Sequence, residues 1–111
     1  MGRGYEMVDL SNLDYKTGNV RYLTSGNYEE DILQVDYPHQ FVLDLGWYDG
    51  IFIIYIIKDY NWSVPIIKYT VLNEDNLIEV LNEAIERITI ETENAKDYYG
   101  GLWETEEYLF D

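Results

Sequence analysis

Between residues 41 and 72 the apolar and polar positions fall into three β-type runs. "FVLDLGWY" (41–48) alternates, with Phe41, Leu43, Leu45 and Trp47 on one face and Val42, Asp44, Gly46 and Tyr48 on the other. Asp49-Gly50 follow, and then "IFIIYIIK" (51–58). Two β-rich runs joined by Asp-Gly predict a tight hairpin, because the turn needs positive φ, which Asp and Gly tolerate. Lys58 to Asn61 reads as a second turn leading into "VPIIKYTVL" (64–72). Pro65 has no N–H to give to a ladder, so it belongs at the beginning or edge of that strand. The central run is apolar on both faces, so both faces of the sheet are expected to be covered at least in part.

After Leu72 the period changes. Leu77, Ile78, Leu81, Ala84, Ile85 and Ile88 form one stripe of an α-helix, with Glu79, Asn82, Glu83 and Glu86 lying away from it. Asn73 or Asp75 can cap its start, and acids in the first turn suit the helix dipole. The helix is expected over about 74–90, with Ile90 and Ala95 as an extension and Gly100-Gly101 as its end. Strands followed by a helix predict an α+β domain: an antiparallel meander of about four to five strands with one amphipathic helix on one face.

The two ends carry weaker patterns. "YEMVDL" (5–10) and "NVRYLTS" (19–25) read as short strands, with a turn at Thr17-Gly18-Asn19. Glu29-Glu30-Asp31 reads as a solvated loop or a helix start. The segment 98–111, "YYGGLWETEEYLFD", threads large aromatics through carboxylates. It is unlike an ordinary small, polar tail. As a strand it would put Leu102, Glu104, Glu106 and Tyr108 on one face, opposite Trp103, Thr105, Glu107 and Leu109. Neither face is cleanly apolar, so the segment is expected to be mobile, to dock on a partner, or to fold back over the bare face of the sheet.

Composition sharpens the picture. The chain of 111 residues is one domain, 1–111, with an apolar fraction of 47% that supports a packed core. It has 22 Asp and Glu against 7 Lys and Arg, a formal charge of −15. Residues 1–69 carry net −5 and residues 70–111 net −10. Such an excess speeds encounter with a basic partner. It argues against nucleic acid, whose binding needs Lys and Arg on phosphates, and against anionic membrane surfaces. No cysteine is present, so disulfides and thiolate chemistry are excluded. No apolar run approaches the twenty residues of a membrane-spanning helix, and no charged-then-apolar leader opens the chain; a cytoplasmic protein is expected.

Candidate chemistry is sparse. His39, the single histidine, follows Pro38 in an expected loop. Ser11, Ser25 or Ser63 could in principle join it in a triad, but no nucleophile elbow surrounds any of them. Asp44 is the one acid whose setting implies partial burial: a tuned acid, a hydrogen-bonded structural residue or a residue on the open face of the sheet. Neither Asn73–Asn76 nor Glu29–Asp31 fits a calcium loop, and no glycine-rich loop opens a helix for phosphate. No metal and no cofactor are expected, and an enzyme is disfavoured.

The stretch "DLGWYDGIFIIYIIKDYNWSVPIIKYTVLNEDNLIEVLNEAIERI" (44–88) resembles small bacterial immunity proteins of polymorphic toxin and contact-dependent inhibition systems. The shared pattern is D-L-G-W-Y, a short turn, a strand ending in I-K-D, a Trp before a Pro, and an amphipathic helix. The resemblance implies a protein that binds and neutralises a cognate toxin inside the cell, with no activity of its own. It carries over no interface residues.

Charge and aromatic content supply those instead. A toxin that is a nuclease has a positively charged site for phosphates, which an acidic surface can cover. Glu79, Glu83 and Glu86 on the helix, with Glu104, Glu106 and Glu107 near the C-terminus, are the expected steering charges. Tyr98, Tyr99, Trp103 and Tyr108 are the expected desolvated anchors. Trp47 and Trp62 are expected at the core or its rim. The alternatives are a DNA-mimic inhibitor of a DNA-binding defence protein, a carboxylate hydrolase with two facing acids and one raised pKa, and a self-associating sheet protein that forms a homo-oligomer.

Overall fold

The structure, a computed structural model, describes residues 9–24, 31–94 and 104–111. Six strands form a single sheet in sequence order: β1 (Asn19–Leu23), β2 (Leu33–Tyr37), β3 (Phe41–Tyr48), β4 (Ile51–Lys58), β5 (Ile67–Val71) and β6 (Glu106–Phe110). The first five pair antiparallel, and β6 pairs parallel to β5. Helix α1 (Leu77–Glu93) lies between β5 and β6 in the chain, as a parallel pair requires a crossover. The fold is α+β.

The hairpin forms where Asp-Gly demands it. Asp49 and Gly50 take φ of 55° and 91°, and β3 and β4 pair from Tyr48↔Ile51 to Phe41↔Lys58. The turn after Lys58 is closed by Asn61 N–H donating to Lys58 C=O at 3.1 Å. Pro65 precedes β5, as its missing N–H requires.

The core lies between the sheet and the helix. Leu33, Val35 and Tyr37 of β2, Phe41, Leu43 and Leu45 of β3, Phe52, Ile54 and Ile56 of β4, and Ile67, Tyr69 and Val71 of β5 point into it. From α1 it receives Leu77, Val80, Leu81, Ala84, Ile85 and Ile88. Asn73 Oδ1 accepts from Asp75 N–H at 2.9 Å, capping a 3-10 turn (Glu74–Asn76) that leads into α1. Leu10 and Tyr15 close the core beyond β2, where Tyr15 donates to Leu10 C=O and Tyr37 donates to Tyr15 C=O.

Three expectations are corrected. Among the described residues six strands are present rather than four or five, because "LQVDY" and the segment after Thr105 both join the sheet. Asp9 and Leu10 are not in a strand, and residues 5–8 lie outside the described residues. Helix α1 ends at Glu93, with Asn94 N–H donating back to Ile90 and Glu91 C=O, well before the glycine pair, which lies outside the described residues.

Candidate functional site

The expected site residues separate into three places. Glu79, Glu83 and Glu86 are exposed on the side of α1 turned from the core. Glu104, Glu106, Glu107 and Tyr108 lie in or next to β6. Tyr98, Tyr99 and Trp103 lie outside the described residues.

The C-terminal segment is built into the sheet as its sixth strand. Tyr108 stacks on Tyr69 of β5, with ring centroids 5.5 Å apart, and Phe110 packs against the same ring at 6.3 Å. Arg87 of α1 donates from Nε to Glu91 Oε2 at 2.7 Å and from Nη2 to Glu106 Oε1 at 2.5 Å. Tyr108 OH donates to Glu106 Oε2 at 2.8 Å. The Tyr108 hydroxyl, and then the Arg87 guanidinium, hold the Glu106 carboxyl below the ordinary glutamate range. Burial pushes the Tyr69 hydroxyl well above its usual range, with Glu83 and Glu106 adding to the rise and Arg87 opposing it. Glu106 and Tyr108 therefore contact their own protein while keeping exposed surface, as Glu104 and Glu107 also do.

The sheet face away from α1 carries a polar row that no local pattern announces. Register pairs Tyr22 with Gln34, Gln34 with Asp44, Asp44 with Tyr55, Tyr55 with Lys68 and Lys68 with Glu107. One row thus crosses all six strands. Asp44 is 4% exposed and accepts from Gln34 Nε2 at 2.9 Å. Burial pushes its carboxyl above the ordinary aspartate range; the Gln34 bond opposes this, Asp31 reinforces it and Arg21 opposes it. A bulge in β1 leaves Arg21 without a register partner, and its Nη2 lies 2.9 Å from Asp36 Oδ1. A cleft of about 230 Å³ lined by Tyr22, Asp31 and Gln34 opens beside this row. Asp44 is not part of its lining, so Gln34 links the acid to the cleft.

At the β2–β3 turn a second cleft, of about 280 Å³, is lined by Thr17, Pro38, His39, Thr89, Thr92 and Glu93. His39 adopts φ 64°, and its carbonyl accepts from Lys58 Nζ at 2.5 Å. Lys58 is 8% exposed, 4.9 Å from the Phe41 ring centroid and 3.3 Å from Asp59 Oδ1, so its charge is met from three sides. Among the described residues no three ligating side chains converge on a metal position. Among the described residues no helix is long and apolar enough to cross a membrane.

Trp47 is half-buried against the core, whereas Trp62 is 47% exposed, beside the exposed Tyr60 and Val64. Trp62 therefore departs from its expected place at the core or its rim: it sits in the loop between β4 and β5 rather than in either strand. The chain matches no known protein family, no curated protein and no solved structure.

Proposed function

We propose that this protein is a non-enzymatic acidic binding protein that neutralises a basic protein partner. In its specific form it is an immunity protein covering the phosphate-holding site of a cognate nuclease toxin. The supporting observation is how its charges are spent. Lys16, Arg21, Lys58 and Arg87 each sit within 4 Å of a carboxylate of the same chain. Glu79, Glu83 and Glu86, by contrast, make no ion pair or hydrogen bond through their side chains among the described residues. Among the described residues the helix therefore presents three acids with no ion pair, with the formal −15 of the whole chain behind them. Such a field raises the on-rate of a basic partner and fades with salt.

The test has two steps. Proteins captured from native host lysate at low salt are identified, and association with the captured partner is then timed. The expected result is a basic protein whose on-rate falls steeply with salt and falls at least tenfold in the E79K/E83K/E86K variant. Capture of no basic protein, or an on-rate unchanged by the reversal, would overturn the reading.

A carboxylate hydrolase is the second reading, favoured by the raised Asp44 carboxyl with Asp31 nearby and a cleft alongside. It requires Asp44 to reach a substrate past Gln34. Hydrolysis of ester or glycoside substrates that disappears in Asp44→Asn would establish it.

A further inference from the structure

Among the described residues strand β6 is one of the two edges of the sheet, opposite β1. Glu106 N–H donates to Ile66 C=O at 3.0 Å, and Leu72 N–H donates to Phe110 C=O at 2.9 Å. In a parallel ladder alternate residues bond to the same neighbour. Glu106, Tyr108 and Phe110 therefore turn their backbone groups toward β5, and Glu107 and Leu109 turn theirs outward. The side chains of Glu107 and Leu109 lie on the face opposite α1, in register with Lys68 and Thr70.

An exposed edge with an exposed apolar residue invites another strand. Leu109 is 69% exposed, more than any other large apolar side chain among the described residues. The edge is also held in place before any partner arrives: Arg87 clamps Glu106, and Tyr108 stacks on Tyr69. Such preorganisation lowers the ordering cost of binding.

Charge decides which strand fits. Glu107 makes no ion pair or side-chain hydrogen bond among the described residues, and Glu104 and Asp111 flank the strand as further exposed acids. A second copy pairing through the same edge would set these acids against their own counterparts, with a formal −15 on each chain. A basic segment meets no such repulsion.

We infer that the β6 edge receives an extended basic segment of the partner as a seventh strand, with a Lys or Arg beside Glu107 and an apolar side chain beside Leu109. The inference rests on the reading of a basic partner and adds where and how that partner docks. Outward backbone groups of Glu107 and Leu109 supply the affinity, and the two side chains supply the choice of sequence.

The probe is a short peptide, Thr-Lys-Thr-Val repeated, which as a strand alternates Lys and Val on one face. Its control has the same sequence with an N-methyl group on every backbone amide, which keeps charge and side chains but removes the N–H donors of both edges. Binding to the full chain is measured at low salt by fluorescence anisotropy. The protein variant is Leu109→Pro, which removes an outward N–H and leaves the β5 ladder intact; circular dichroism and thermal unfolding verify its fold.

We expect the N-methylated peptide and the Leu109→Pro variant each to weaken binding roughly tenfold or more. Hydrogen exchange at the Glu107 and Leu109 amides is expected to slow in the complex. Equal binding of both peptides would overturn the edge and leave the basic-partner reading standing on charge alone. No binding of either peptide would also overturn the edge, with the basic-partner reading still decided by the helix reversal. Dimerisation of the free chain that Leu109→Pro abolishes would assign the edge to a second copy instead.

Discussion

Arg87 on α1 donates from Nη2 to Glu106 Oε1 on β6 at 2.5 Å, joining the helix to a strand residue nineteen positions further along the chain. The same guanidinium holds Glu91, which is buried at the end of the helix. Replacing Arg87 with Met removes both bonds while keeping much of the apolar stem. Hydrogen bonds to charged groups contribute about 1.5–3 kcal/mol, less where solvent reaches them, so a loss of about 1–2 kcal/mol is expected. Urea unfolding measures it. Hydrogen exchange should also show β6 amides opening faster than those of β4, because the clasp acts on the edge strand.

How much of this was legible depends on how local each determinant is. β3, β4 and the Asp49-Gly50 turn were readable because alternation and turn chemistry lie within one stretch. The helix was readable from its stripe, although Val80 also enters the core. β2 was hidden because "LQVDY" is short and offers Gln34 and Asp36 to the far face. β6 was hidden for a different reason. Its order rests on Tyr69 and Arg87, which are distant in sequence, and its own residues present no apolar alternation. The polar row from Tyr22 to Glu107 was out of reach, since it exists only once the register of all six strands is known. The burial of Asp44 was visible in its strand; its partner Gln34 was not.

Asp44 should make the protein more stable when its charge is removed. Its carboxyl titrates above the ordinary aspartate value of 3.8, chiefly because burial disfavours the ion. Above that raised value the folded state carries a penalty that the unfolded chain escapes. As pH falls toward 3.8 the folded protein takes up the proton first, and the penalty disappears. Asp44→Asn keeps an oxygen for Gln34 Nε2. Its urea midpoint should therefore exceed that of the native sequence at pH 7 and converge with it near pH 3.5. A lower midpoint at pH 7 would show that the ionised carboxylate has partners worth more than its desolvation costs.

Gly18 is a site where one methyl group should be expensive. A Cβ there would lie 2.5 Å from Tyr37 Cζ and 2.6 Å from Val35 Cγ1, both in buried side chains. Tyr37 cannot easily swing away, because its hydroxyl donates to Tyr15 C=O at 2.9 Å and its ring packs in the core. Overpacking of this kind costs about 1–3 kcal/mol, and Gly18→Ala is expected in the upper half of that range. The urea midpoint should drop with an unchanged slope, the sign of lost stability in an otherwise similar fold. Tyr37→Phe should lose about 1 kcal/mol, the net value of its hydrogen bond.

The two turns flanking β4 have the same sign of backbone twist but different residues to bear it. Asp49 and Gly50 take φ of 55° and 91°; Asp59 and Tyr60 take 56° and 59°. A Cβ at Gly50 would meet nothing within 4 Å, so Gly50→Ala isolates conformational strain from packing. That strain is about 1–2 kcal/mol for an L-residue in the left-handed region. Tyr60 already bears it, and its side chain is 54% exposed. Tyr60→Asn substitutes a residue that tolerates this conformation through local hydrogen bonding, and should gain about 0.5–1 kcal/mol. The pair of variants is read by thermal unfolding: Gly50→Ala should lower the midpoint and Tyr60→Asn raise it. A drop in both would mean that the Tyr60 ring packs more usefully than its exposure indicates.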